Sequence, residues 1–219
     1  MPTQMSLFDL PEFSGDFGDN AKKEEKTNDK EKAVKEAAAK LEAWVIEMKS
    51  WLSRPKTRKN SKNWERFEEE VRSFIKAYYA WSTSREEAKL NQLVGYSQLL
   101  VVRIRGRYGA ACGLVDNLNP HRTETRHAVV HVEDDYYGGS FSNVKDYEGY
   151  VSKWFDEVLA VQAQVCTLAD IEPVSRKWVC DNLTCGGDYA SYRSKIKTCI
   201  KHSTAKSLKD YPSKKSKKK

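Results

Sequence analysis

Hydrophobic residues recur along much of the chain at alternating spacings of four and three, which is the period of an amphipathic α-helix. The first such stripe covers residues 34–52, follows the capping residue Asn28 and stops before Pro55. The second covers residues 64–81. Because only a short basic link separates the two stripes, they predict a long antiparallel helical hairpin over residues 28–83.

A different pattern follows the predicted hairpin. After a third helical stretch near Leu93, residues 98–115 begin with a β-branched run and contain three glycines, which are poor helix formers. Residues 127–132, His-Ala-Val-Val-His-Val, alternate in the way that is typical of a strand. The sequence therefore predicts a small antiparallel β element within residues 84–143.

The helical rhythm returns over residues 147–165 and ends before Pro173. Two shorter helices are predicted at 175–184 and 188–203, on either side of a Gly-Gly link. The predicted fold is mainly α with a small antiparallel β element (α+β). Its segments are a disordered arm at 1–27, one domain at 28–203 (hairpin 28–83, mixed α/β 84–143, helical unit 144–203), and a disordered Lys-rich tail at 204–219.

Charge is unevenly distributed over the 219 residues. The formal net charge is +7, but the stretch from Lys206 to Lys219 holds seven lysines against one acidic residue, Asp210. The rest of the chain is therefore close to neutral, and the basic signal belongs to the end of the chain. Such a tail binds phosphates without sequence preference, or it serves only to keep the protein soluble. Its terminal lysines are Lys214, Lys215, Lys217, Lys218 and Lys219.

The composition also bears on location. No run of apolar residues is long enough to span a membrane, and the first residues do not resemble a secretory signal. Five cysteines, an odd number, are spread over helical sequence. Reduced thiols are expected in a bacterial cytosol or nucleoid, or in the host cytosol if the chain is phage-encoded. The predicted location is therefore cytoplasmic.

The most specific motif lies at residues 4–9, which are Gln4-Met5-Ser6-Leu7-Phe8-Asp9. This segment resembles the peptide with which bacterial polymerases, repair proteins and plasmid or phage replication factors bind the DNA sliding clamp. Met5 departs from the leucine that is commonest at that position. The resemblance implies that Leu7 and Phe8 fill an apolar pocket on the clamp, while Gln4 and Ser6 help to set the register.

The last predicted helix carries a row of basic residues. Together with the helix before it, this helix suggests a helix-turn-helix-like unit in which basic side chains contact phosphates and Tyr192 reaches into a groove. The alternative is an ordinary solvated helix face. The candidate nucleic-acid-binding residues here are Arg193, Lys195, Lys197 and Lys201.

Cysteine and histidine suggest two weaker alternatives. The set Cys180, Cys185, Cys199 and His202 has zinc-binding side chains, but its spacing is unusual for a structural zinc site. Buried, unreactive cysteines are the preferred interpretation, so no cofactor is predicted. His127 and His131 share one face of the predicted strand and could serve a metal-dependent nuclease, although no nuclease signature surrounds them.

The leading hypothesis is a non-enzymatic DNA-associated accessory protein, recruited to the bacterial sliding clamp in replication, repair or the DNA metabolism of a phage or mobile element. Two alternatives remain open at this point. One is a phage or plasmid protein that inhibits a host replication or defence protein. The other is the metal-dependent nuclease.

Overall fold

A computed structural model describes residues 17–53, 62–116, 144–183 and 187–211. Within these ranges the chain is helical and contains no strand. The elements are α1 (Phe17–Ser53), α2 (Lys62–Ser84), α3 (Glu87–Asp116), α4 (Val144–Ala169), α5 (Arg176–Asn182), α6 (Gly187–Lys201) and a short 3-10 helix, η1 (Leu208–Asp210). None of the described helices combines the length and apolarity needed to cross a membrane.

The centre of the bundle is α3, which packs against α2, α4 and α6. Four consecutive residues of this helix, Leu99 to Val102, are all buried, so apolar side chains point in every direction around its axis. A helix that is apolar all round has to be covered on several sides by other elements. The neighbours of α3 supply that cover.

The predicted β element at 98–115 is therefore wrong, since these residues lie inside α3. The error has a physical cause. A helix that is buried on several faces lacks the alternating four-three spacing of apolar residues, which marks a helix with one face exposed to solvent. Its β-branched residues then mimic a buried strand, while tertiary packing overrides their weak preference for strands. The second predicted strand, 127–132, lies outside the described residues. In its described part the protein is helical rather than α+β.

Both stripes of the predicted hairpin form helices, although α1 begins at Phe17, well before the predicted cap at Asn28. The two helices do not pack on each other alone, because α1 also packs along α4. Trp154 of α4 lies 5.1 Å from Trp51 of α1 and 5.6 Å from Phe67 of α2, between ring centroids. Aromatic contacts at such distances contribute beyond their buried area and tie the three helices together at this point.

The C-terminal helices α5 and α6 confirm the predicted pair. Ser175 caps α5, as its side chain accepts a hydrogen bond from the backbone N–H of Trp178. The body of the protein continues beyond the predicted boundary at 204. Leu208 is fully buried and Tyr211 is 4% exposed, so the segment as far as residue 211 packs onto the helices.

A close contact between α3 and α6 provides a stability test. Gly95 is buried in α3, and a Cβ atom added to it would overlap the side chain of Ile200 in α6. We expect Gly95→Ala to lower the free energy of unfolding by about 1–3 kcal/mol, because the stiff, β-branched Ile200 has to shift. Urea denaturation measures the change.

The matched control is Gly149→Ala in α4, where an added Cβ meets no atom within 4 Å. This substitution should raise the free energy of unfolding by about 0.5–1 kcal/mol, since alanine restricts the unfolded chain and favours helix. Effects of the same sign at the two glycines would contradict the close packing of α3 on α6.

Candidate nucleic-acid interface

Helix α6 has one face in the core and one face toward solvent. Tyr192 and Ile196 are 3% and 0% exposed and pack inward. Arg193, Lys197 and Lys201 follow one another at intervals of four residues and therefore share another face of the helix. All three line a groove between α6 and its neighbours.

This groove, here called the α2–α3–α6 groove, has a volume of about 390 Å³. Three helices contribute to its walls. Its lining residues are Glu69, Glu70 and Ser73 from α2, Tyr96 and Leu99 from α3, and Arg193, Lys197, Ile200 and Lys201 from α6.

A buried carboxylate at the base of the groove joins the three helices. Glu70 of α2 is 8% exposed. It accepts two hydrogen bonds from Arg103 of α3, at 2.9 Å from Nη2 and 3.2 Å from Nε. It also accepts one from Nη2 of Arg193 in α6, at 3.2 Å. Two-pronged contacts of this kind set the orientation of both partners as well as holding them together.

Burial raises the pKa of the Glu70 carboxyl above its ordinary value, because it removes water from the charged form. The hydrogen bond and the charge of Arg103 oppose that shift, and the charges of Arg193 and Lys197 oppose it less. The loss of water therefore destabilises the charged form of Glu70 by more than the nearby cations stabilise it. Its charged state at neutral pH depends on those cations being in place.

Positive charge remains after Glu70 has been accounted for. Lys197 and Lys201 are both exposed to solvent, and Glu69 is the only other acidic residue that lines the groove among the residues described. The Nε atom of Arg193 is buried without a hydrogen-bond partner in the described structure, so that atom cannot reach a ligand. The two exposed lysines are the groups of the groove that are chemically suited to phosphate oxygens.

The structure thus brings together three of the four basic residues that were predicted on this helix. The fourth, Lys195, does not line the groove, because it lies about 200° around the helix from Arg193. The predicted role of Tyr192 is wrong: its ring packs 6.4 Å from that of Tyr211, inside the core. With Tyr192 and Ile196 buried, this side of α6 is not available to enter a major groove of DNA.

Three members of the candidate zinc set, Cys180, Cys199 and His202, lie in the described ranges, and Cys185 does not. Among the described residues no three metal-binding side chains come together in a way that could hold a metal ion. Cys180 and Cys199 are free thiols and partly buried. The complete four-residue set stays an untested prediction, because one of its members cannot be placed.

Several other predicted site residues lie outside the described ranges. They are the clamp-binding residues Gln4, Ser6, Leu7 and Phe8, the histidines His127 and His131, and the terminal lysines Lys214, Lys215, Lys217, Lys218 and Lys219.

Sequence reasoning missed the residues that build the groove opposite α6. Glu70, Tyr96 and Arg103 are distant from one another along the chain and belong to no motif. A faint signal existed in Glu70, an acidic residue three positions after Phe67 and four before Phe74, which are both buried residues of the α2 stripe. Nothing in the sequence indicated its two arginine partners.

Comparisons with protein-family models, curated proteins and solved structures found no match to this chain. Its function therefore has to be argued from its own residues.

The cluster of Glu70, Arg103 and Arg193, here called the Glu70 cluster, leads to a prediction about how stability depends on pH. Arg103→Met should lower the free energy of unfolding by about 2–4 kcal/mol at pH 7, because it leaves a buried carboxylate short of its main partner. Loss of Arg103 should raise the pKa of Glu70 further. Because the pKa of Glu70 is then higher in the folded variant than in the folded unmodified chain, the folded variant takes up more protons as the pH falls. The deficit should therefore shrink as the pH falls from 7 to 5.

Urea denaturation of both proteins at the two pH values measures this deficit. The matched control is Arg72→Met, an exposed arginine on α2 whose loss should change stability by no more than about 0.5 kcal/mol. A deficit for Arg103→Met that equals the control, or that grows toward pH 5, would disprove the proposed role of the cluster.

Proposed function

We propose that this protein is a DNA-associated accessory protein that is recruited to the bacterial sliding clamp and acts by binding rather than by catalysis. The observation that carries the proposal is the segment Gln4-Met5-Ser6-Leu7-Phe8, whose residue types and order match the clamp-binding peptide. It precedes the first described helix, α1, in the sequence.

Basic side chains support the DNA half of the proposal. Lys197 and Lys201 are exposed on α6, and five more lysines follow residue 211. None of these needs to bind DNA tightly. A clamp-bound peptide holds the rest of the chain close to DNA and raises its effective concentration there, so weak phosphate contacts are sufficient.

The clamp peptide is tested by the double substitution Leu7→Ala/Phe8→Ala in the full chain. We expect the affinity for a purified bacterial sliding clamp to fall by at least about 30-fold, since two apolar anchors of a small interface are lost. Isothermal titration calorimetry measures the dissociation constant.

The same peptide segment offers a control of equal composition. Leu10→Ala/Phe13→Ala removes one leucine and one phenylalanine outside the motif and should leave the affinity for the clamp unchanged. Equal losses in the two variants, or no loss in the first, would rule out the clamp-binding peptide.

The lysine-rich end is tested by deleting residues 212–219. The deletion has to start after Tyr211, because that side chain is buried. We expect duplex DNA affinity to fall, and the slope of log affinity against log salt to flatten by up to about 4.5, since five lysines that could contact phosphates are removed. Fluorescence anisotropy over a salt series measures both. An unchanged slope would exclude the tail from DNA binding.

A further inference from the structure

The α2–α3–α6 groove combines cations with an aromatic side chain in one recess. Its volume of about 390 Å³ falls in the range of small-ligand sites. A recess of this size has room for one nucleotide unit and no room for a double helix.

The cationic side of the groove suits a phosphate chain. Lys197 and Lys201 are exposed and lie about 6 Å apart along the axis of α6. Arg193 lies one turn before Lys197 and lines the same groove. The Glu70 carboxylate at the base does not cancel these charges, because Arg103 and Arg193 already balance it.

The apolar part of the lining suits a base. Tyr96, which is half-buried, lines the groove together with Leu99 and Ile200. An aromatic ring next to a row of cations is the arrangement with which proteins bind single strands, since each base offers a flat face for stacking whatever its identity. Stacking of this kind needs an unpaired base.

The core packing of α6 decides which of its residues can meet a ligand. Tyr192 and Ile196 are buried, and Ile200 lies against Gly95 of α3. The exposed face of α6 carries Ser194 and Thr198 besides Lys197 and Lys201, and of these four only the two lysines line the groove.

From these observations we propose that the α2–α3–α6 groove binds one nucleotide of single-stranded DNA, with the two phosphates that flank it in the strand on Lys197 and Lys201 and its base against Tyr96. This rests on the proposed DNA association and adds to it the form of DNA that the folded body binds. The tail lysines, by contrast, have no means of distinguishing single strands from duplex.

The experiment measures binding of the full-length chain to a labelled oligothymidylate and to a duplex of the same length, by fluorescence anisotropy over a salt series. Lys197→Gln/Lys201→Gln should weaken single-strand binding by about tenfold at low salt and flatten the salt slope by about 1.4, the value for two phosphate contacts on a single strand. Both lysines are exposed, so the fold is expected to persist.

The charge-matched control is Lys35→Gln/Lys40→Gln, two exposed lysines of α1 that do not line the groove. It should leave the salt slope for the single strand near that of the unmodified chain. Equal losses in the two lysine pairs would overturn the groove assignment and leave only a general effect of net charge.

Substitutions of Tyr96 separate stacking from charge. Tyr96→Leu should weaken single-strand binding by about tenfold with no change in salt slope, while Tyr96→Phe should bind like the unmodified chain because it keeps the ring. Neither should alter duplex binding. Equal affinities of Tyr96→Leu and Tyr96→Phe for the single strand would overturn the base-stacking half of the proposal.

Other outcomes separate this inference from the proposed function. Single-strand binding that none of the groove substitutions weakens would overturn the inference and leave the DNA association intact. Binding of free thymidine monophosphate without binding of the oligonucleotide would overturn the single-strand assignment. A chain that binds the clamp but no DNA in either form would overturn the inference together with the DNA half of the proposed function.

Discussion

The burial of α3 on several sides is the constraint from which the rest of the architecture follows. With Leu99 to Val102 all buried, no face of this stretch can be left in water without a large loss of hydrophobic stabilisation. Helices α2, α4 and α6 must therefore surround it, and α1 is positioned in turn by α4 and α2. The tryptophans on the stripes of α1 and α4 are used for this packing, as the contact between Trp51 and Trp154 shows.

The Glu70 cluster adds polar specificity to this apolar frame. A carboxylate buried between two arginines is costly to desolvate, and its net effect on stability is smaller than its contacts suggest. What it does is set a distance and an orientation: α2, α3 and α6 each supply one charged group, and the groove opens directly beside them. Arg193, which holds α6 to α2, also lines the groove. The stability of the fold and the shape of the candidate site are therefore coupled.

The proposed function divides the chain into parts with different physical roles. Gln4 to Phe8 would recruit the chain to a sliding clamp, because their apolar side chains would bind there. The lysine-rich end would supply long-range attraction to any phosphate backbone, which is strongly salt-dependent and carries no sequence information. The helical body would add preference for the form of DNA, because a groove with an aromatic side chain can discriminate between forms that a run of lysines cannot tell apart.

The amino-acid order alone determines the helices over residues 34–52, 64–81 and 147–165, which follow from their four-three period, and α5 and α6, which follow from the turn residues around them. It also determines the clamp-like motif and the row of basic residues on α6. Only the tertiary structure decided that 98–115 is helix, that Tyr192 is core, and that Arg193 shares a carboxylate with Arg103. The physical reason is that the spacing of apolar residues and the propensity of each residue depend only on which face of one element is exposed to solvent. The central helix and the Glu70 cluster, by contrast, are defined by contacts between residues up to 123 positions apart.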